Sequence, residues 1–241
     1  MKNKYFGDIG DYGKYGLLRF LAKSNVKTGV NWYLTEDDNS NDGRHTDYLN
    51  DLRFRHLDAD LFDCLKDMVD SGVRDIKQFE KKDMIPNAVY YSKILDSKMT
   101  DVARRKEYRQ NWHEQAMETL KDAELVFMDP DDGLVKENRY GTGSEKKVIP
   151  QEIMDYYDRG QDIIYYHHRG QYTKSDNWTR ILGIMGSYID GVKLIPIIYH
   201  RVQQRAYVFV LHEKSYEKYC NLIDAFLDSN WKWKGTFTGL A

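Results

Sequence analysis

The chain has 241 residues, with 36 lysines and arginines against 38 acidic residues and a formal net charge of −2. That length suits one large domain, and the near-neutral balance excludes a global pull toward nucleic acid or an anionic membrane, so a polyanionic partner has to be met by a local patch. Two cysteines without metal spacing exclude a zinc site and read as reduced thiols, and the absence of a signal-type segment or of an apolar run near ~18 residues predicts a cytoplasmic protein with no membrane partner.

In chain order, Gly7, Gly10, Gly13 and Gly16 place a glycine at every third position and feed a helix marked by Leu17, Leu18 and Leu21. A glycine-rich entry to a helix can present backbone N–H groups to an anion, with Lys14 as the accompanying cation; the alternative is a tight turn with Asp11 as the helix cap. Val30–Leu34 predicts the first core strand, which discharges into Glu36, Asp37 and Asp38. Cations follow at Arg44, His45, Arg53, Arg55 and His56. Leu61, Phe62, Leu65, Met68 and Val69 predict a helix ended by Gly72. Residues 73–80 fit a short strand, while 86–91 carry an aromatic pattern that fixes no element. The longest helix spans about 102–121 and interleaves Arg104, Arg105 and Arg109 with Trp112 and His113, a surface suited to a nucleic-acid backbone.

From Glu124 the signals alternate. A strand at Leu125–Met128 runs into Asp129-Pro130-Asp131-Asp132-Gly133, and a helix at 151–159, a strand at 162–168 and a helix at 177–189 follow. Strands at 192–200 and 205–212 are joined by a link so short that only a hairpin accommodates it, and a helix at 216–229 ends the series. The predicted fold is α/β: a three-layer Rossmann-like sandwich, its mostly parallel sheet closed by a C-terminal antiparallel hairpin. We expect a single domain over 1–241 with a mainly helical insertion at about 51–122.

In an open α/β sheet, chemistry sits at the carboxyl ends of the strands. Neighbouring strands 30–34 and 125–128 would bring two acidic clusters together, and carboxylates so crowded need a counter-charge. Mg2+ or Mn2+ supplies one with oxygen ligands, which makes Asp129, Asp131, Glu36 and Asp37 the candidate metal ligands. The next strand ends in His167-His168-Arg169. His168 is the candidate proton-transfer group, Arg169 a bidentate phosphate holder, and Lys147, beside Lys146 in the loop after the aspartates, a stabiliser of developing negative charge. With Asp129 these residues describe metal-dependent phosphodiester hydrolysis by a nuclease on DNA or RNA, the polyanion being held by Lys14, Arg44, Arg104, Arg105 and Arg109.

Asp129-Pro130-Asp131-Asp132 after a strand, the segment 6–21 before it and the βα units and hairpin beyond it resemble class I Rossmann-like methyltransferases of the ribosomal-RNA adenine-N6 type. That resemblance implies S-adenosylmethionine as cofactor, methyl transfer to nucleic acid as activity and Asp129 as acceptor of a hydrogen bond from an amino nitrogen. Two motifs depart from it. Residues 36–43 carry one glycine where the cofactor loop would be, and Asp132 stands where an aromatic ring would stack on a flipped base. A non-catalytic binding protein on the same fold is the third possibility.

Overall fold

A computed structural model describes residues 1–95, 99–168 and 177–239, the side chains of 177–179 excepted. Its centre is a seven-stranded mixed sheet in the order β2-β1-β3-β6-β8-β7-β9. Here β1 is Thr28–Asn31, β2 Val89–Tyr91, β3 Leu125–Met128, β6 Asp162–His168, β7 Lys193–Tyr199, β8 Arg205–Leu211 and β9 Phe237–Gly239. The first four strands in this order are parallel; β8 runs antiparallel to β6, β7 to β8, and β9 to β7. The sheet edge beyond β7 is therefore β9, an added strand that the sequence pattern did not announce. Two short strands, β4 (Gly133–Leu134) and β5 (Lys147–Val148), pair separately in parallel.

Side chains alternate across the strands and feed two apolar cores. One face receives Val30, Leu125, Phe127, Ile164, Phe209 and Leu211, covered by α1 (Ile9–Lys23), α2 (Ala59–Asp70) and α7 (Glu213–Asp228). The other receives Val126, Met128, Ile163, Tyr165, Val208 and Val210, covered by α4 (Val102–Thr119), α5 (Pro150–Asp158) and α6 (Asn177–Gly186). Among the described residues no helix is long and apolar enough to cross a membrane.

Three local expectations are corrected. Residues 73–80 form no strand: α3 occupies Ile76–Glu80, because the Asp75 side chain accepts from the Lys77 N–H and starts a helix that buries Ile76 and Phe79. The first strand stops at Asn31 rather than Leu34, since Tyr33 takes a positive φ of 45° and turns the chain out of the ladder. The cap of α1 is Asp8, which accepts from the Gly10 N–H at 2.9 Å, not Asp11. The stretch 51–122 holds α2, α3 and α4 and also contributes β2 to the main sheet.

The glycines of α1 are a packing device. A Cβ at Gly10 would stand 2.6 Å from the Arg205 guanidinium, at Gly13 2.4 Å from the Tyr199 ring, and at Gly16 2.0 Å from the Trp231 ring. Residues 10, 13 and 16 are nearly one above the other on the helix, so the stripe is a groove into which three large side chains fit. Gly16→Ala should therefore overpack the Trp231 site and cost about 1–3 kcal/mol in urea-monitored unfolding. A variant as stable as the parent would show that the ring moves aside freely.

Candidate functional site

The chain passes from β1 to β2 on one side of the sheet and then to β3 on the other side of β1. The carboxyl ends of β1 and β3 thus form the switch point at which open α/β sheets leave a crevice. A cleft of about 530 Å³ opens there, lined from the N-terminal segment, α1, the turn after β3, the end of β6 and the β7–β8 link.

Asp129 is the first residue past β3, and its N–H donates to the Asn31 carbonyl at 3.0 Å, which ties the turn to β1. Its carboxylate is buried and accepts from Lys14 Nζ at 2.6 Å; the same ammonium lies 2.8 Å from Asp11 Oδ1. Asp11 Oδ2 accepts from the Tyr15 hydroxyl at 3.0 Å. Lys14 also sits over the Tyr15 and Trp32 rings, 5.5 and 5.6 Å from their centroids. Burial works against the ammonium, but Asp11 and Asp129 outweigh it and hold the Lys14 pKa above the ordinary lysine value. Burial likewise raises the Asp11 carboxyl, against the pull of Lys14. The group is a carboxylate–ammonium–carboxylate bridge between α1 and β3.

Asp131 faces the Met1 ammonium at 2.6 Å and Lys2 Nζ at 3.7 Å, yet both of its buried oxygens lack a hydrogen-bond donor of proper geometry. Burial pushes its pKa up, and the Met1 ammonium, Lys2 and Lys146 together bring it below the usual carboxylate value.

Alternation along β6 separates the two histidines. His167 accepts from the Leu134 N–H at Nδ1, 3.1 Å away, and is braced against Gly133, where any Cβ would collide with its ring. His168 lines the cleft, with its Nδ1 3.1 Å from the Tyr166 hydroxyl on the same strand face. Burial, with help from Arg205 and against Asp132, lowers the His168 pKa below the ordinary histidine value, so the ring is uncharged at neutral pH. Burial lowers His167 to about 4.

The candidates from sequence divide. Asp129, Asp131, Lys14 and His168 line the cleft. Glu36 and Asp37 are exposed and outside that lining, where Asp38 is present instead; Asp37 accepts from the Lys4 N–H. Lys147 is half-buried and 3.7 Å from Asp132, while Lys146 is the lysine that lines the cleft. Arg44 is exposed beside the lining residues Gly43 and His45, and Arg104 is exposed on α4. Arg169 lies outside the described residues.

Two assignments are corrected. Arg109 is buried and spent on Glu152, at 2.6 and 2.8 Å, and on the carbonyls of Ser144 and Lys147. Arg105 is buried and donates to the carbonyls of Met99 and Tyr140. Neither guanidinium is exposed for a polyanion; both pin the loop after β3 to α4. The sequence reading missed Lys2, Tyr166 and Arg205. The short link from β7 sets Arg205 opposite Tyr199, and only the placement of β8 beside β6 in the folded sheet puts it opposite His168.

Among the described residues, no three acidic, histidine or cysteine side chains converge into a closed metal cage. A hard cation bound through one or two carboxylates plus substrate oxygens needs no such cage. The orphaned oxygens of Asp131 beside Asp129 fit that mode.

The histidines give a stability prediction. His167 binds a proton far less readily in the fold, at about 4, than in the unfolded chain, at about 6.5, so stability is full above 6.5 and drains as pH falls toward 4. The loss amounts to about 3 kcal/mol. Denaturant unfolding at pH 7.5 and 4.5 should show it, and His167→Asn, which keeps an acceptor for the Leu134 N–H, should flatten it; an equally steep profile in the variant would place the pH sensitivity elsewhere. Searches against protein-family models and curated proteins find no match to this chain, so the chemistry is argued from the cleft's own residues.

Proposed function

We propose that the cleft is the active site of a phosphodiesterase, a nuclease acting on DNA or RNA with Mg2+ or Mn2+. The observation that carries this reading is the convergence, at the switch point of a Rossmann-like sheet, of buried carboxylates with Lys14, Lys146, Arg205 and an uncharged histidine in one cleft. Asp129 and Asp131 would hold the cation together with water and substrate oxygens, and the bound cation supplies Lewis-acid polarisation of a phosphoryl oxygen. The chain's own side chains do the rest. Lys14 keeps Asp129 in place, Lys146 and Arg205 offset charge on the phosphoryl group, and His168 meets one of its oxygens.

The test is incubation with labelled single- and double-stranded DNA and RNA, with Mg2+ or Mn2+ and then with EDTA. Cleavage should be chelator-sensitive, fall at least about 100-fold in Asp129→Asn, and fall about tenfold or more in Lys146→Ala at unchanged melting temperature. No cleavage of any polymer under these conditions ends this reading.

The position of β8, antiparallel between β6 and β7, and Asp129-Pro130 after β3 support a second reading, methyl transfer to nucleic acid. Against it, the backbone groups at the end of β1 that a cofactor would meet are already used: the Tyr33 carbonyl accepts from the Met1 ammonium and the Thr35 N–H donates to the Met1 carbonyl. Calorimetry with S-adenosylmethionine decides this, the phosphodiesterase reading expecting no heat of binding.

A further inference from the structure

The Tyr166 hydroxyl has two polar neighbours of different kinds. The Arg205 guanidinium lies near it and opposes the rise that burial causes in its pKa, and a guanidinium has donors and no acceptor. The other neighbour, 3.1 Å away, is His168 Nδ1. A buried phenol beside a cation turns its oxygen toward the cation and its O–H away, and Nδ1 is the acceptor within reach. Arg205 cannot turn away easily: Nη1 donates to the carbonyls of Arg201 and Gln203 at 3.0 and 3.1 Å, Asp8 lies 3.8 Å from Nη2, and Gly10 leaves the guanidinium its space. The O–H therefore points away from Arg205 and toward the imidazole.

We propose that Arg205 and Tyr166 are positioning residues that lock His168 as its Nε2–H tautomer, so that the ring offers an uncharged N–H donor to an anionic oxygen of the ligand and does not act as a general base. An imidazole whose Nδ1 accepts a hydrogen bond carries its single proton on Nε2. The charged groups that face it among the described residues agree with an uncharged ring: Arg205 from β8 and burial oppose a second proton, and Asp132 from the turn after β3 favours one. The identity of the anionic oxygen as a phosphoryl oxygen rests on the phosphodiesterase reading. The tautomer does not.

The two parts have separate tests. In protein labelled with 15N at histidine, a long-range 1H–15N correlation at pH 7.5, assigned by loss of signals in His168→Gln, should show Nδ1 as unprotonated and Nε2 as protonated. Tyr166→Phe should move the two nitrogen shifts toward the averaged values of a mixed tautomer. A protonated Nδ1 in the parent protein, or no change in Tyr166→Phe, overturns the lock. In the cleavage assay, His168→Gln keeps an N–H donor but cannot carry a proton, so activity should fall no more than about tenfold while His168→Ala loses 100-fold or more. Equal loss in both overturns the donor role. A parent protein that cleaves no polymer removes the phosphoryl oxygen as the acceptor, and the nitrogen shifts then decide the tautomer alone.

Discussion

The contact on which the rest of the site depends is the bridge from Asp11 through Lys14 to Asp129. Removing three charges from water is expensive, and a buried ion pair returns that cost only when its geometry and secondary hydrogen bonds are good. Here Lys14 has a carboxylate on each side, at 2.6 and 2.8 Å, and two aromatic rings near it, and Asp11 has the Tyr15 hydroxyl. The bridge also fixes geometry. Asp129 stands at the end of β3 and Lys14 one turn into α1, so the helix and the sheet edge are held in register where the crevice opens. Uncharged residues could fill the same volume, but would leave the turn after β3 without a tether to α1 at this level.

The glycine stripe acts at the same interface. Because α1 has no side chain at Gly10 and Gly13, Arg205 and Tyr199 come up from β8 and β7 and pass close to the helix backbone. Arg205 therefore reaches Tyr166 and the cleft. A glycine pattern that suggests backbone N–H groups offered to an anion turns out to deliver a guanidinium, which is a different way of placing positive charge near the end of β3.

The parts of the fold legible in the sequence are those with strong period-2 or period-3.6 patterns and no competing local chemistry. Leu125–Met128 and Asp162–His168 are strands with the bounds their apolar runs indicate, since each is buried on both faces. Residues 73–80 misled because Val73, Ile76 and Phe79 give an ambiguous spacing that the Asp75 cap resolves toward helix. β9 was not legible, because three residues next to a tryptophan-rich turn carry no period; only the free edge of β7 makes them a strand. In the site, Asp129 and His168 could be found because strand ends are where open sheets place chemistry. Arg105 and Arg109 could not be told from a solvated basic face: their interior position is set by Glu152 and by carbonyls some 35 to 43 residues away.

The charge balance of the cleft bears on what could enter it. Seven carboxylates line it against four lysine and arginine side chains, and Lys2, Lys14 and Arg205 each lie against an acid. A phosphodiester arriving alone would meet a lining that is already acidic and would have to displace a carboxylate from Lys14 or Arg205. Arriving with a divalent cation, the same phosphate brings its own compensation, and Asp131, which faces the Met1 and Lys2 ammonium groups without a well-formed hydrogen bond, has oxygens to offer that cation. In the fold, Lys14 between Asp11 and Asp129 and Lys2 between Asp38 and Asp131 relieve the repulsion among the acids. On the phosphodiesterase reading a cation would be needed at the moment of substrate entry, and Asp131, rather than the lysine-bound Asp129, would be the carboxylate whose role depends most on it.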